Sequence, residues 1–191
     1  MIRRSYQYLD GATLVQLFKA IVRPTLEASN VVWSPVLKKD SDLLEGVQRR
    51  ATKLVPGLEE TPYEERLASL KLPSLVFRRA RGDMIETYKY LYNIYKTDNS
   101  FLPRATGRST RGHSLKLWKA SCNTRRRQHF FSQRVVDPWN SLPEAVVTAP
   151  SLNAFKNRLD KHWGRIKYSL SPHFPHLRTH DHRAAGPVET S

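Results

Sequence analysis

Apolar residues recur at helical spacing along most of the chain. Leu14, Leu17, Phe18 and Ile21 form one stripe within residues 13–22, which predicts a helix that Pro24 interrupts or restarts. Trp33-Ser-Pro35 closes that unit, because a residue before proline is pushed out of the α region. A second stripe, Leu43, Leu44, Val47, Ala51 and Leu54, predicts a helix capped by Asp40 or Ser41 and stopped by Pro56-Gly57. Its polar face carries Gln48, Arg49, Arg50 and Lys53. Thr61-Pro62-Tyr63-Glu64 reads as a capping box opening a short helix that ends near Leu70. Ser74 then caps a longer one to about Tyr95, with Met84, Ile85, Tyr88, Leu91, Tyr92 and Tyr95 as its buried stripe. Gly82 lies inside that helix, where glycine costs about 1 kcal/mol relative to alanine, so close packing or a local break is expected there.

The second half is less regular. Residues 97–112 read as loop, and 114–119 alternate Leu115 and Leu117 about Lys116, as a short extended segment does. Residues 130–142 return to helical spacing, with Pro138 placed to kink them. Residues 151–163 give the cleanest amphipathic helix, with a serine cap followed by Leu152, Phe155, Leu159 and Trp163. From about Ser169 the chain is rich in proline and histidine and poor in core-formers, which predicts a disordered tail over 169–191. The expected fold class is therefore mainly α, with at most a short β element and no internal repeat.

Charge sharpens this picture. With 32 Lys and Arg against 17 Asp and Glu, the net charge is +15, which favours polyanionic partners. The excess is concentrated: residues 101–168 hold 14 basic and 3 acidic side chains, whereas 58–100 hold 7 of each. At 39% hydrophobic and 26% charged, with 12 prolines, the 191 residues can build only a modest core. No apolar run approaches the roughly 18–20 residues that span a bilayer. Cys122 is the only cysteine, which excludes an internal disulfide and a cysteine-based zinc site. The opening Met-Ile-Arg-Arg-Ser does not read as a secretory leader, so nucleus or cytoplasm is the expected location.

Catalytic constellations are missing. A polymerase holds two Mg²⁺ ions with paired acidic residues, and no Asp-Asp pair occurs here. Asp40-Ser-Asp42 comes nearest, but it stands where a helix cap belongs. Gly107 and Gly112 fit no phosphate loop, and no serine sits in a nucleophile motif. His173, His176, His180 and His182 read as a solvated tail rather than a metal site, since no cysteine or scaffold accompanies them. No cofactor is expected.

A series of short motifs carries a resemblance. In order they are LFKAIVRP (17–24), VWSP (32–35), LEGVQRRATKLVPG (44–57), YEERL (63–67), LPSL (72–75), RRARGDM (78–84), STRGH (109–113), FSQRV (131–135), WNSLP (139–143), SLNAF (151–155) and FKNRLDKHW (155–163). Each is short, but their number and order resemble the region downstream of the palm in LINE-type (jockey/CR1-like) non-LTR retrotransposon reverse transcriptases. The resemblance covers residues 2–167. It implies that 1–57 is a thumb-like helical bundle gripping a primer–template duplex. By the same resemblance, 58–100 is a helical connection and 101–168 a mostly helical, basic C-terminal segment that engages element RNA or target DNA. It further implies that the polymerase aspartates and the endonuclease lie upstream, and that Met1 falls inside a helix continuing upstream, as in a truncated frame. Pro138 departs from the family, which usually continues a helix there. The tail after Tyr168 matches nothing in it, and the zinc knuckle that some related elements carry is missing.

The candidate nucleic-acid ligands come from charge and position. Arg49, Arg50 and Lys53 either track phosphates or form an ordinary solvated face. Arg125, Arg126 and Arg127 repel one another without a counter-anion, and Arg104, Arg108, Arg111 and Lys116 crowd the same region. Trp118, flanked by lysines, is the candidate for base stacking, whereas Trp33, Trp139 and Trp163 read as core. His113 reads as a structural or phosphate-contacting histidine, since no nucleophile accompanies it. The function expected is a non-catalytic, nucleic-acid-binding fragment. The alternatives are an inert remnant of a decayed element, or a protein-interaction module using the faces 43–54 and 152–163.

Overall fold

The computed structural model describes residues 10–98, 100–105 and 112–170, the Arg125 side chain excepted. As expected, the architecture is mainly α. Among the described residues its β content is one isolated antiparallel bridge, Arg104 to Leu117. No helix among them is long and apolar enough to cross a membrane.

Helix α1 (Gly11–Leu17) is capped by the Asp10 carboxylate, which accepts the Thr13 N–H at 2.6 Å. Pro24 does not stop the chain. Phe18–Val22 widens into a π turn, the Arg23 N–H reaches back to the Phe18 carbonyl, and α2 (Arg23–Glu27) continues from it. A proline ring collides with the carbonyl four residues earlier, and a wider turn relieves that collision. The extra residue in that turn rotates the later positions off the predicted stripe. Leu14 and Phe18 are buried, while Ile21 is 55% exposed.

Helix α3 (Lys38–Thr52) corrects two expectations. Neither Asp40 nor Ser41 caps it, because Leu37 occupies the cap position and both residues lie inside the helix. Its buried face is polar, made of Glu45, Gln48 and Thr52, while Leu43 is 70% exposed. The reason is a set of ready partners. Glu45 accepts the Leu75 N–H at 2.9 Å and the Tyr63 hydroxyl at 2.8 Å, and Gln48 donates to the Pro73 carbonyl at 3.0 Å. Burial holds the Glu45 carboxyl above the usual range, against those hydrogen bonds. The chain then turns at Pro56-Gly57, where φ of +82° at Gly57 and a Leu58 N–H to Val55 carbonyl bond make a type II turn.

Helix α4 (Tyr63–Ser69) starts one residue later than the capping-box reading. Pro62 is the cap, Thr61 supplies no side-chain cap, and the Thr61 carbonyl instead accepts from Arg66 at 2.6 Å. Helix α5 (Leu75–Leu91) keeps its serine cap: Ser74 Oγ accepts the Phe77 N–H at 3.2 Å. It ends before Tyr95, because Asn93 adopts φ of +52° and the Ile94 N–H closes onto the Lys89 carbonyl at 2.9 Å. Gly82 sits in unbroken helix at a close approach, since a Cβ there would lie 3.0 Å from Asn30 Nδ2.

The C-terminal part is built from short helices: α6 (Arg125–Gln128), α7 (Phe131–Arg134), α8 (Val136–Asn140), α9 (Glu144–Val147) and α10 (Leu152–His162). The predicted kink falls at Val135, because Pro138 has no N–H for the Arg134 carbonyl four residues back. Ser151 caps α10 as predicted. Helix α10 packs on α5 and α9, and α3 packs on α4 and α5.

Two cores result. The larger joins Tyr88, Trp139, Phe155, Leu159 and Trp163, with Tyr88 stacked 4.5 Å from Phe155. The smaller joins Phe18, Tyr63, Leu67 and Leu72, with Tyr168 and Leu170 packed against it. Trp33 belongs to neither, being 42% exposed with its indole N–H on the Ala28 carbonyl. Ser169 and Leu170, which the sequence reading assigns to the tail, contact the helical body: Ser74 Oγ donates to the Ser169 carbonyl and the Leu170 N–H reaches Glu64. The remainder of the predicted tail, 171–191 with its four histidines, lies outside the described residues.

Candidate nucleic-acid interface

The fold divides its arginines into two populations. One is consumed internally. Arg66 is buried and donates to Thr52 Oγ1 and the Thr61 carbonyl, and Arg79 is buried against Ser41 at 2.8 Å. Arg78 forks onto Glu27, Arg81 onto Asp160 and Arg134 onto Asp83. All five are engaged within the protein.

The other contains the described sequence candidates, together with Arg23 and Arg165, which are not candidates and make no ion pair among the described residues. Arg49, Arg50 and Lys53 are exposed on α3 and its end, and none is ion-paired among the described residues. Arg49 lies over the Tyr63 ring at 5.0 Å, a contact that leaves its charge uncompensated. Arg126 and Arg127 are exposed on the single turn of α6, again without an ion pair among the described residues. Adjacent cations repel, and a bound polyanion would relieve that repulsion. Arg104 is exposed, with Nη2 donating to the Leu91 carbonyl at 3.3 Å. Arg108 and Arg111 lie outside the described residues, as does the Arg125 side chain.

The antiparallel bridge sets Arg104 opposite Leu117, on the other side of the segment from Lys116 and Trp118. The Ala105 N–H bonds the Lys116 carbonyl at 2.9 Å and the Trp118 N–H the Pro103 carbonyl at 2.8 Å, so Arg104 and Leu117 face each other across the bridge. Leu117 is buried, and alternation then turns Lys116 and Trp118 to the opposite side. Trp118 is 55% exposed and Lys116 half-buried. The cations of α3 and those of α6 belong to different parts of the fold, since α3 packs on α4 and α5 whereas α6 packs on α7.

His113 is structural. It is 3% exposed, its Nε2 lies 3.0 Å from the Trp139 carbonyl, and its Nδ1 accepts the Leu115 N–H at 3.2 Å. That pairing fits the neutral ring with the proton on Nε2. Burial lowers its pKa below the ordinary 6.5, with Lys116 adding to the effect and the Trp139 carbonyl and Glu144 opposing it. Below about pH 6.5 the unfolded chain therefore binds a proton that the folded chain refuses. Stability is fully present above that pH and falls below it, by up to about 1.4 kcal/mol per pH unit until the folded pKa is reached. Urea titrations between pH 5 and 8 are expected to show this decline, and H113Q to flatten it.

Sequence reasoning missed two features. Phe130, 62% exposed directly after α6, sits in a hydrophobic pair whose second member, Phe131, packs on the core. Large apolar side chains are also individually exposed at Val32, Trp33, Val36, Leu37 and Leu43, although helical periodicity points Leu43 inward. Among the described residues, no group of three or more His, Cys, Asp or Glu is placed to hold a metal ion. Scans against protein-family models, curated proteins and solved structures gave no match to this chain.

Proposed function

We propose that this chain is a nucleic-acid-binding, non-catalytic piece of a retrotransposon RNA-directed DNA polymerase, acting beside a catalytic palm carried upstream in the parent polyprotein. The observation that supports it most is the division of the arginines. The nominated cations described on or beside α3 and α6, Arg49, Arg50, Lys53, Arg126 and Arg127, are exposed and without ion pairs among the described residues. Arg66, Arg78, Arg79, Arg81 and Arg134 are instead engaged within the fold, while Arg165, which is not nominated, is also exposed and without an ion pair among the described residues. Exposed, unpaired guanidinium groups bind phosphate oxygens in a sequence-independent way, which suits a primer–template duplex or element RNA. The site of action would be nucleus or cytoplasm, with no cofactor.

The test is a pair of charge variants on an RNA–DNA hybrid. R126A/R127A and R50A/K53A are each expected to lower the slope of log affinity against log salt by about 1.5–2, as two lost phosphate contacts would. Unchanged slopes in both variants would leave the proposal without its interface and favour an inert remnant. Thermal melts of these exposed-site variants should match the wild type.

The interaction-module reading keeps only one of its two faces. Phe155, Leu159 and Trp163 are inside the core, so the face 152–163 is not available to a partner. On the face 43–54, Leu43 is exposed and Leu44, Val47, Ala51 and Leu54 are half-buried, so that face is only partly covered.

A further inference from the structure

Trp118 is presented in a way that a structural tryptophan is not. Its neighbour Leu117 has both backbone groups held by one side chain: the Leu117 N–H donates to Asn140 Oδ1 at 2.8 Å, and Asn140 Nδ2 donates to the Leu117 carbonyl at 2.9 Å. The Leu117 side chain is 2% exposed, and the Trp118 N–H is tied to the Pro103 carbonyl at 2.8 Å. The Trp139 indole holds the Leu115 carbonyl at 2.8 Å two residues earlier. A backbone fixed at four points thus carries the largest apolar side chain outward, 55% exposed, where burying it would have been favourable. Lys116 lies on the same side of the segment, and the Lys119 ammonium is paired with Asp137 just beyond it. A second large aromatic, Phe130 at 62% exposure, comes directly after the Arg126–Arg127 turn in the same basic region.

We infer that Trp118 is a base-stacking platform, clamped outward by Asn140, and that the C-terminal segment therefore binds unpaired nucleotides in preference to duplex. This rests on the nucleic-acid reading above and narrows it. A base in a duplex offers its π-face only to its neighbours in the stack, so an indole gains it only from an unpaired strand. The contact is blind to sequence, because every base has such a face. RNA and DNA strands share this chemistry, and the 2′-hydroxyl is what would separate them.

The experiment compares a 12-nucleotide single strand with an abasic strand of equal length and charge, using the full chain and W118A. The wild type is expected to bind the base-bearing strand more tightly, with quenching of tryptophan fluorescence that W118A abolishes. W118A is expected to weaken the base-bearing strand about 5- to 100-fold and to leave the abasic strand within about 2-fold. W118F, which keeps a smaller π-face, should restore part of the difference. N140D retains an acceptor for the Leu117 N–H but loses the donor, so it should reduce the ratio between the two strands without changing abasic affinity. Equal loss on both strands, or no loss on either, would overturn the stacking platform while leaving phosphate binding intact. Failure of the wild type to bind either strand would overturn both readings.

Discussion

Replacing Arg134 with alanine is expected to lower the stability of the fold by about 3–5 kcal/mol, the range for breaking a buried ion pair from one side. Arg134 joins three parts of the chain. Its Nε and Nη2 fork onto both Asp83 oxygens at 2.8 and 2.9 Å. Nη2 also reaches the Asn30 and Val31 carbonyls at 3.0 Å each, and Nη1 the His129 carbonyl at 3.1 Å. The two side chains are only 12% and 11% exposed, so water does not replace what is lost. Alanine leaves three carbonyls without this donor and a carboxylate deprived of its guanidinium.

The pH dependence identifies the mechanism. Burial already holds the Asp83 carboxyl above its ordinary value, and the Arg134 hydrogen bonds and charge oppose that shift. Without Arg134 the folded-state pKa rises further above the unfolded one. The variant then gains relative stability as pH falls through that folded value, because protonation removes the stranded charge. Urea unfolding at pH 7 and pH 5 should show the deficit shrinking at the lower pH. D83N/R134M, which removes both charges, should lose less than R134A alone. An equal deficit at both pH values would mean that lost packing, not the isolated carboxylate, sets the penalty.

Trp139→Ala is the second large effect, expected at about 3–5 kcal/mol. The indole is fully buried, 5.9 Å from the Phe155 ring and 6.1 Å edge-on from His113. It also closes a polar loop: Nε1 donates to the Leu115 carbonyl at 2.8 Å, and its own carbonyl lies 3.0 Å from His113 Nε2. Truncation opens a cavity in the larger core and frees the segment that carries Trp118. W139F keeps most of the volume and strands only the Leu115 carbonyl, for a loss of about 1–3 kcal/mol. Denaturant melts separate the two variants, and near-UV dichroism should fall in W139A well before unfolding. Equal losses in both variants would place the energy in the hydrogen bond rather than in the packing.

Where the chain's local chemistry and its packing agree, the sequence was readable. Ser74 and Ser151 cap the helices they were expected to cap, and Phe155, Leu159 and Trp163 face inward as their spacing required. Pro138 broke its helix as its missing N–H demands. The misreadings have a common cause, which is tertiary partners that no local pattern encodes. Helix α3 buries Glu45, Gln48 and Thr52 because the α5 N-terminus, the Pro73 carbonyl and Arg66 await them, so Leu43 is left outside. Arg134 and Asp83 stand 51 residues apart, and nothing in either neighbourhood announces their pairing. Asn93 was a usable stop signal for α5, as asparagine tolerates the left-handed region better than the tyrosines around it. Among the cations that charge and position single out, Arg49, Arg50, Lys53, Arg104, Arg126 and Arg127 are exposed, and Lys116 is half-buried. The outward clamp on Trp118 was beyond sequence, since it depends on Asn140, 23 residues from Leu117.

The most direct measurement is the affinity of the full chain for a labelled RNA–DNA hybrid, read by anisotropy across a salt series. If the exposed arginines and lysines are the interface, log affinity falls linearly with log salt, with a slope corresponding to about 4–8 phosphate contacts. No binding near 100 mM salt, or a slope close to zero, would contradict the account.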